Sequence, residues 1–164
     1  MKKFFPFILL ASLTLFAVSC SDNSRDTVVD NDTYSVVYEA TGTFTSPSYS
    51  LVYDFPRRLY ATDMVLVYRL KTVENGQKVW EALPKTYYLA EGEINYEYDF
   101  TSSDVKIYMQ FTLDPSTRAE YTNNQTFRML VIPAGAGKAK VDLSNYNEVV
   151  KFYNLNENHI KTLK

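Results

Sequence analysis

Cysteine and histidine are all but missing from this chain: Cys20 and His159 are the only ones in 164 residues. A lone cysteine closes no internal disulfide, so the fold must be held by its core. The usual zinc, haem and iron–sulfur ligand sets cannot be assembled from one of each, and no metal or other cofactor is expected. His159 lies in a polar stretch near the end of the sequence and reads as an exposed side chain, not as a base or a ligand. Glycine and proline are scarce, at 5 and 6 residues, which leaves no collagenous or linker-like tract inside a domain. No internal repeat is visible. A bilayer-spanning helix is also missing, because the longest apolar run, Phe4 to Val18, falls short of the roughly twenty residues required and carries Pro6 near its start.

That run has another meaning. Lys2 and Lys3 precede it, and the small residues Ala17 and Ser19 follow it, which is the three-part design of an export signal over residues 1–19. Ala17-Val18-Ser19-Cys20 resembles the lipobox of bacterial lipoproteins, in which the cysteine takes a diacylglyceryl thioether before cleavage and becomes the new N-terminus. The box more often has Leu where Ala17 stands, and Ala17-x-Ser19 also suits the ordinary signal peptidase, which would release a soluble protein with a free Cys20. Lipidation of Cys20 is the expectation, since the single cysteine stands where the lipobox requires it. Two or three acyl chains there would anchor the protein to the membrane.

Cleavage would take Lys2 and Lys3 from the 17 basic residues, leaving 15 against 19 acidic ones, a net charge of −4. Such a balance argues against a nucleic-acid partner. Residues 20–32, the lipidated Cys20 followed by Ser, Asp, Asn, Arg and Thr with only Val28 and Val29 to bury, read as a disordered tether. A single β-rich domain is expected over 33–164, long enough to bury a core.

Alternation with period two dominates from Thr33 onward. Ile94, Tyr96, Tyr98 and Phe100 point one way while Glu93, Asn95, Glu97 and Asp99 point the other; Val105, Ile107, Met109, Phe111 and Leu113 repeat the pattern after the polar turn Thr101–Asp104. The two runs should form an antiparallel hairpin. Further strands are expected at Thr33–Ser46, Tyr49–Phe55, Met64–Lys71, Lys78–Leu83, Thr86–Ala90 and Thr126–Pro133, with Asn75-Gly76 as a tight turn. Both faces of Val65-Leu66-Val67-Tyr68 are apolar, which predicts a central strand covered on both sides. Near the end, Ser144 or Asn145 offers an N-cap, Asn145 and Glu148 are spaced as a capping box, and Tyr146, Val149, Val150 and Tyr153 share one helical face. The fold expected is therefore all-β, an antiparallel sandwich or barrel of about seven or eight strands, with one short C-terminal helix and a polar tail.

No catalytic constellation stands out. Gly135-Ala136-Gly137-Lys138 lacks the spacing and hydroxyl of a phosphate loop and reads as a connection between strand and helix. Asp30-Asn31-Asp32 lacks the glycine and distal glutamate of a calcium loop. Glu93, Glu97 and Asp99 line one strand face at distances a glycosidase pair could use, but any wetted strand face does the same. Tyrosine is abundant, 14 residues, and aromatics reach 15%. Tyr96 and Tyr98 share the alternation of Ile94 and Phe100 and belong to the core, whereas Tyr88 and Tyr108 are the candidate ligand-facing aromatics.

The runs Val65–Leu70, Val79–Leu89, Tyr98–Thr101 and Phe127–Pro133 together resemble a group of small envelope lipoproteins of the Bacteroidota, some of which carry a collagen-like spacer after the lipidated cysteine. This chain has Ser21 to Asp32 in that place. The resemblance covers about half of the chain beyond Cys20 and brings no activity or site residues with it. In that setting Ser21-Asp22-Asn23 resembles the short acidic signal for display on the outer face of the outer membrane, which favours the surface over a periplasmic orientation, and Asp26-Thr27-Val28 fits the pattern for O-glycosylation at Thr27. The functional expectation is a non-enzymatic, outer-membrane-anchored lipoprotein that binds a glycan, a peptide or another envelope protein. Its rivals are a glycan- or peptidoglycan-active hydrolase using Glu93, Glu97 or Asp99, and a purely structural surface subunit.

Overall fold

The computed structural model describes residues 35–136 and 140–164. Residues 1–34, which hold the expected export signal, Cys20, Thr27 and the expected tether, and residues 137–139 lie outside the described residues. Nine strands follow in order: β1 (Val36–Gly42), β2 (Ser50–Asp54), β3 (Met64–Glu74), β4 (Gln77–Ala82), β5 (Lys85–Leu89), β6 (Gly92–Phe100), β7 (Asp104–Phe111), β8 (Gln125–Ile132) and β9 (Lys161–Thr162), with helices α1 (Ala119–Thr122) and α2 (Tyr146–Phe152). They build a five-stranded sheet, β4-β3-β8-β1-β9, and a four-stranded sheet, β2-β7-β6-β5. All pairings are antiparallel except β1 with β9. The all-β expectation holds, and of its two forms the structure is the sandwich.

The alternating pattern explains why the sheets stack. Val65, Val67, Phe127 and Met129 of the larger sheet meet Ile94, Tyr96, Val105 and Ile107 of the smaller one in a single apolar cluster. Each such side chain is worth about 1.5–3 kcal/mol when fully withdrawn from water. β6 and β7 pair as their sequences predict, with Tyr98 opposite Ile107, and the turn between them is closed by Thr101, whose N–H donates to the Asp104 carbonyl at 2.9 Å. The β3–β4 turn puts Asn75 at φ 50° and Gly76 at φ 78°, the positive values that its two residues accept at low cost.

A third layer covers the outer face of the larger sheet. Val37, Tyr68, Leu130 and Ile132 from the strands pack with Tyr146 and Val149 of α2 and with Leu155. β3 is thus buried on both faces, Val65 and Val67 inward, Leu66 and Tyr68 under the helix. The Asn145 side chain caps α2 by accepting from the Glu148 N–H at 3.3 Å, as the spacing predicts.

The tail differs from expectation. It is not simply polar: Leu155 and Leu163 are buried, and Lys161–Thr162 joins the sheet beside Tyr38 and Glu39. A two-residue strand is too short to show alternation, and Leu155, Ile160 and Leu163 follow neither the helical nor the strand period. For the same reason α1, a single turn after the 3-10 turn Pro115–Thr117, leaves no periodic signal.

Candidate functional site

The side chains singled out from the sequence fall on the outer face of the four-stranded sheet. Tyr88 on β5 is 77% exposed. Tyr108 on β7 is half-buried, with the Lys106 ammonium 5.5 Å from its ring centre. Tyr88 pairs with Glu93 and Tyr108 with Glu97, so the rings are two strands and four residues apart, roughly 17 Å at standard sheet spacings. They cannot form one stacking platform. Glu93 and Asp99 are exposed on the same face, and the Asn95 amide donates to Glu97 Oε1 at 2.5 Å. Tyr96 is fully buried, and half-buried Tyr98 donates its hydroxyl to the Val65 carbonyl at 3.1 Å, so both belong to the core. His159 is exposed.

The more developed arrangement lies across the molecule, on the outer face of the larger sheet. Antiparallel register sets Tyr68, Arg128 and Glu39 side by side on β3, β8 and β1. Alternation along β4 puts Lys78, Trp80 and Ala82 on that same face. The Arg128 guanidinium, 4.3 Å from the Trp80 ring centre and 5.3 Å from that of Tyr146, donates to Glu39 Oε2 at 2.9 Å and bonds the Tyr146 hydroxyl and Glu157. Lys78 reaches Glu39 at 3.2 Å and lies 5.6 Å from the Trp80 ring centre. Burial works against charge on Glu39, but the hydrogen bonds from Arg128 and Lys78 outweigh it and hold the carboxyl below its ordinary range. Burial likewise opposes the Arg128 charge, and its partners Glu39, Tyr146 and Glu157 raise its pKa above the usual value. The Tyr146 hydroxyl is pushed up, chiefly by burial. Trp80 thus packs against the Arg128 guanidinium, the Lys78 ammonium and the Tyr146 ring.

Two hollows run along β4 in opposite directions from Trp80. One, of about 600 Å³, is lined by Leu66, Tyr68, Trp80, Ala82, Pro84 and Leu143, with Glu81, Lys85 and Ser144 adding polar groups. The other, of about 400 Å³, has Trp80 among the polar side chains of Gln77, Lys78, Asp142, Asn145 and Asn147. Their far wall is the segment before α2, fixed by the Tyr68 hydroxyl donating to the Leu143 carbonyl at 2.7 Å and by Asp142, which accepts from the Ser144 N–H and hydroxyl. Burial also raises the Tyr68 pKa, so near neutral pH this hydroxyl serves as a hydrogen-bond donor and not as a base. The arrangement offers an aromatic face, apolar walls and a polar margin, which suits non-covalent binding.

A second buried arginine explains more of the tyrosines. Arg69 lies inside the sandwich, bonded to Gln125 at 2.8 Å and to Glu81 and the Tyr87 hydroxyl at 2.9 Å, with the Tyr96 ring centre 4.9 Å away. Its ion pair with Glu81 is closed off, the two side chains being only 7% and 12% exposed. Sequence reasoning passed over Trp80, Arg128 and Arg69. The available signal is an arginine inside an apolar stretch of each of two strands, Met64–Leu70 and Phe127–Ile132, since a charge at such a position demands partners.

No protein-family model, curated protein or solved structure matches the chain. Among the described residues, no helix is long and apolar enough to cross a membrane, and no group of three or more His, Cys, Asp or Glu could hold a metal ion.

Proposed function

We propose that this protein is a non-enzymatic lipoprotein of the cell envelope, held on the outer membrane through lipid on Cys20, whose sandwich offers the hollow beside Trp80 to a ligand. The observation that carries the binding reading is the Trp80 ring, stacked on Arg128 and bordering two hollows of about 600 and 400 Å³. A ring fixed by Arg128 loses little freedom when a ligand covers it, so its contact area converts more fully into affinity. The anchor rests on the lipobox-like Ala17-Val18-Ser19-Cys20.

The test is an array of bacterial envelope glycans and peptides probed with wild type, Trp80→Phe and Tyr88→Ala. Binding weakened by Trp80→Phe and kept by Tyr88→Ala supports the reading. Binding indifferent to Trp80 removes it. Palmitate labelling of cells, present in wild type and lost in Cys20→Ala, tests the anchor independently.

A further inference from the structure

The free edge of β4 gives the hollow a second property. β4 is the last strand of the five-stranded sheet, and among the described residues only β3 pairs with it. The Leu83 N–H donates to the Val67 carbonyl at 2.9 Å, so the backbone groups of Leu83 and, two residues back, of Glu81 point toward β3. The N–H and C=O groups of Lys78, Trp80 and Ala82 consequently point away from the sheet. These are the same residues whose side chains stand on the outer face: Trp80 and Ala82 line the larger hollow and Lys78 the smaller one. Of the edge strands β2, β4, β5 and β9, β4 is the one that joins outward-pointing backbone groups to the side chains of both hollows.

We infer that the site takes an extended peptide, which adds to β4 as a sixth strand and lays alternate side chains over the hollow. The inference rests on the binding role proposed above and names its ligand class. Outward-pointing donors and acceptors, without a strand partner among the described residues, repeat about every 6.8 Å along this edge and match the repeat of an extended main chain. Leu66, Ala82, Pro84 and Leu143 suit apolar side chains at every second position of that peptide. Lys78 is already engaged by Glu39 and Glu81 by Arg69, which leaves Lys85, at the Pro84 end of the run, as the cation that an acidic residue beside the apolar ones would complement.

The test is selection of a random phage-displayed peptide library on the full chain, followed by hydrogen exchange with the best synthetic peptide bound. Enriched peptides should alternate apolar residues, slow exchange at the Lys78, Trp80 and Ala82 amides, and lose about tenfold or more in affinity when their own alternate amides are N-methylated. The methylated peptide leaves the protein unaltered, so a folding defect cannot imitate the result. Enriched peptides that leave those three amides exchanging freely, or that tolerate N-methylation in both registers, overturn strand addition. A glycan that binds with dependence on Trp80, while no peptide is enriched, also overturns it and leaves the broader binding role standing; the absence of any ligand for the hollow removes both.

Discussion

Replacing Arg128 with alanine removes the group that ties β1, β8, α2 and the tail to Trp80. Cutting one partner from a well-buried ion pair costs about 3–5 kcal/mol. Here the side chains left behind are 25% exposed at Glu39 and 45% at Glu157, so both regain water and the charge contribution falls to about 2 kcal/mol. Loss of the guanidinium from the Trp80 and Tyr146 rings adds about 1 kcal/mol. The expected destabilisation, about 3 kcal/mol, lowers Tm by about 10 °C for a domain of this size. Arg128→Lys should recover little of it, because an ammonium cannot bond several partners while stacking flat on a ring. Thermal unfolding followed by circular dichroism measures the loss. Emission gives a second readout, since Trp80 is the single tryptophan of the chain and should shift to the red as its packing loosens. A Tm within about 2 °C of wild type would mean that Arg128 contributes little to holding these elements together.

The tail carries a second expectation: Leu163→Ala, which truncates a buried side chain next to Glu39, should cost about 2–3 kcal/mol in urea unfolding, and a neutral result would mean that β9 adds nothing. Glu39 has a depressed folded-state pKa, so its stabilising contribution is present above its ordinary value of 4.5 and is lost as pH falls below it. Glu39→Gln should accordingly flatten the acid limb of a stability–pH curve below about pH 4.5, and an unchanged limb would contradict the pairing. Tyr88→Ala should change stability by less than about 0.5 kcal/mol by the same urea assay, because the ring is exposed; a larger loss would place it in the core.

Strand positions were legible because inward and outward residues alternate, as in Glu93 to Glu97; the pattern fails at the strand end, where Phe100, expected inward, is 43% exposed. The turn at Asn75-Gly76 and the cap at Asn145 were legible because each needs particular residues. The site was not. Tyr88 and Tyr108 were chosen as aromatics on wet or edge positions, and they do face outward, but outward exposure gives no concavity. The hollow beside Trp80 arises where β4 meets the segment before α2, residues more than sixty apart, and no local pattern encodes that meeting. Nor does alternation reveal that Arg69 and Arg128 gather tyrosines around them. An arginine in an apolar strand announces a need for partners without naming them.

The proposed binding role requires that a ligand contact Trp80. Titration of the full chain with the peptide selected on it, or with a glycan that the array identifies, followed by tryptophan emission and calorimetry together, addresses this directly. A ligand seated at Trp80 should give a saturable change in emission with the same midpoint as the heat of binding. Saturable heat with emission unmoved would show that the ligand sits elsewhere.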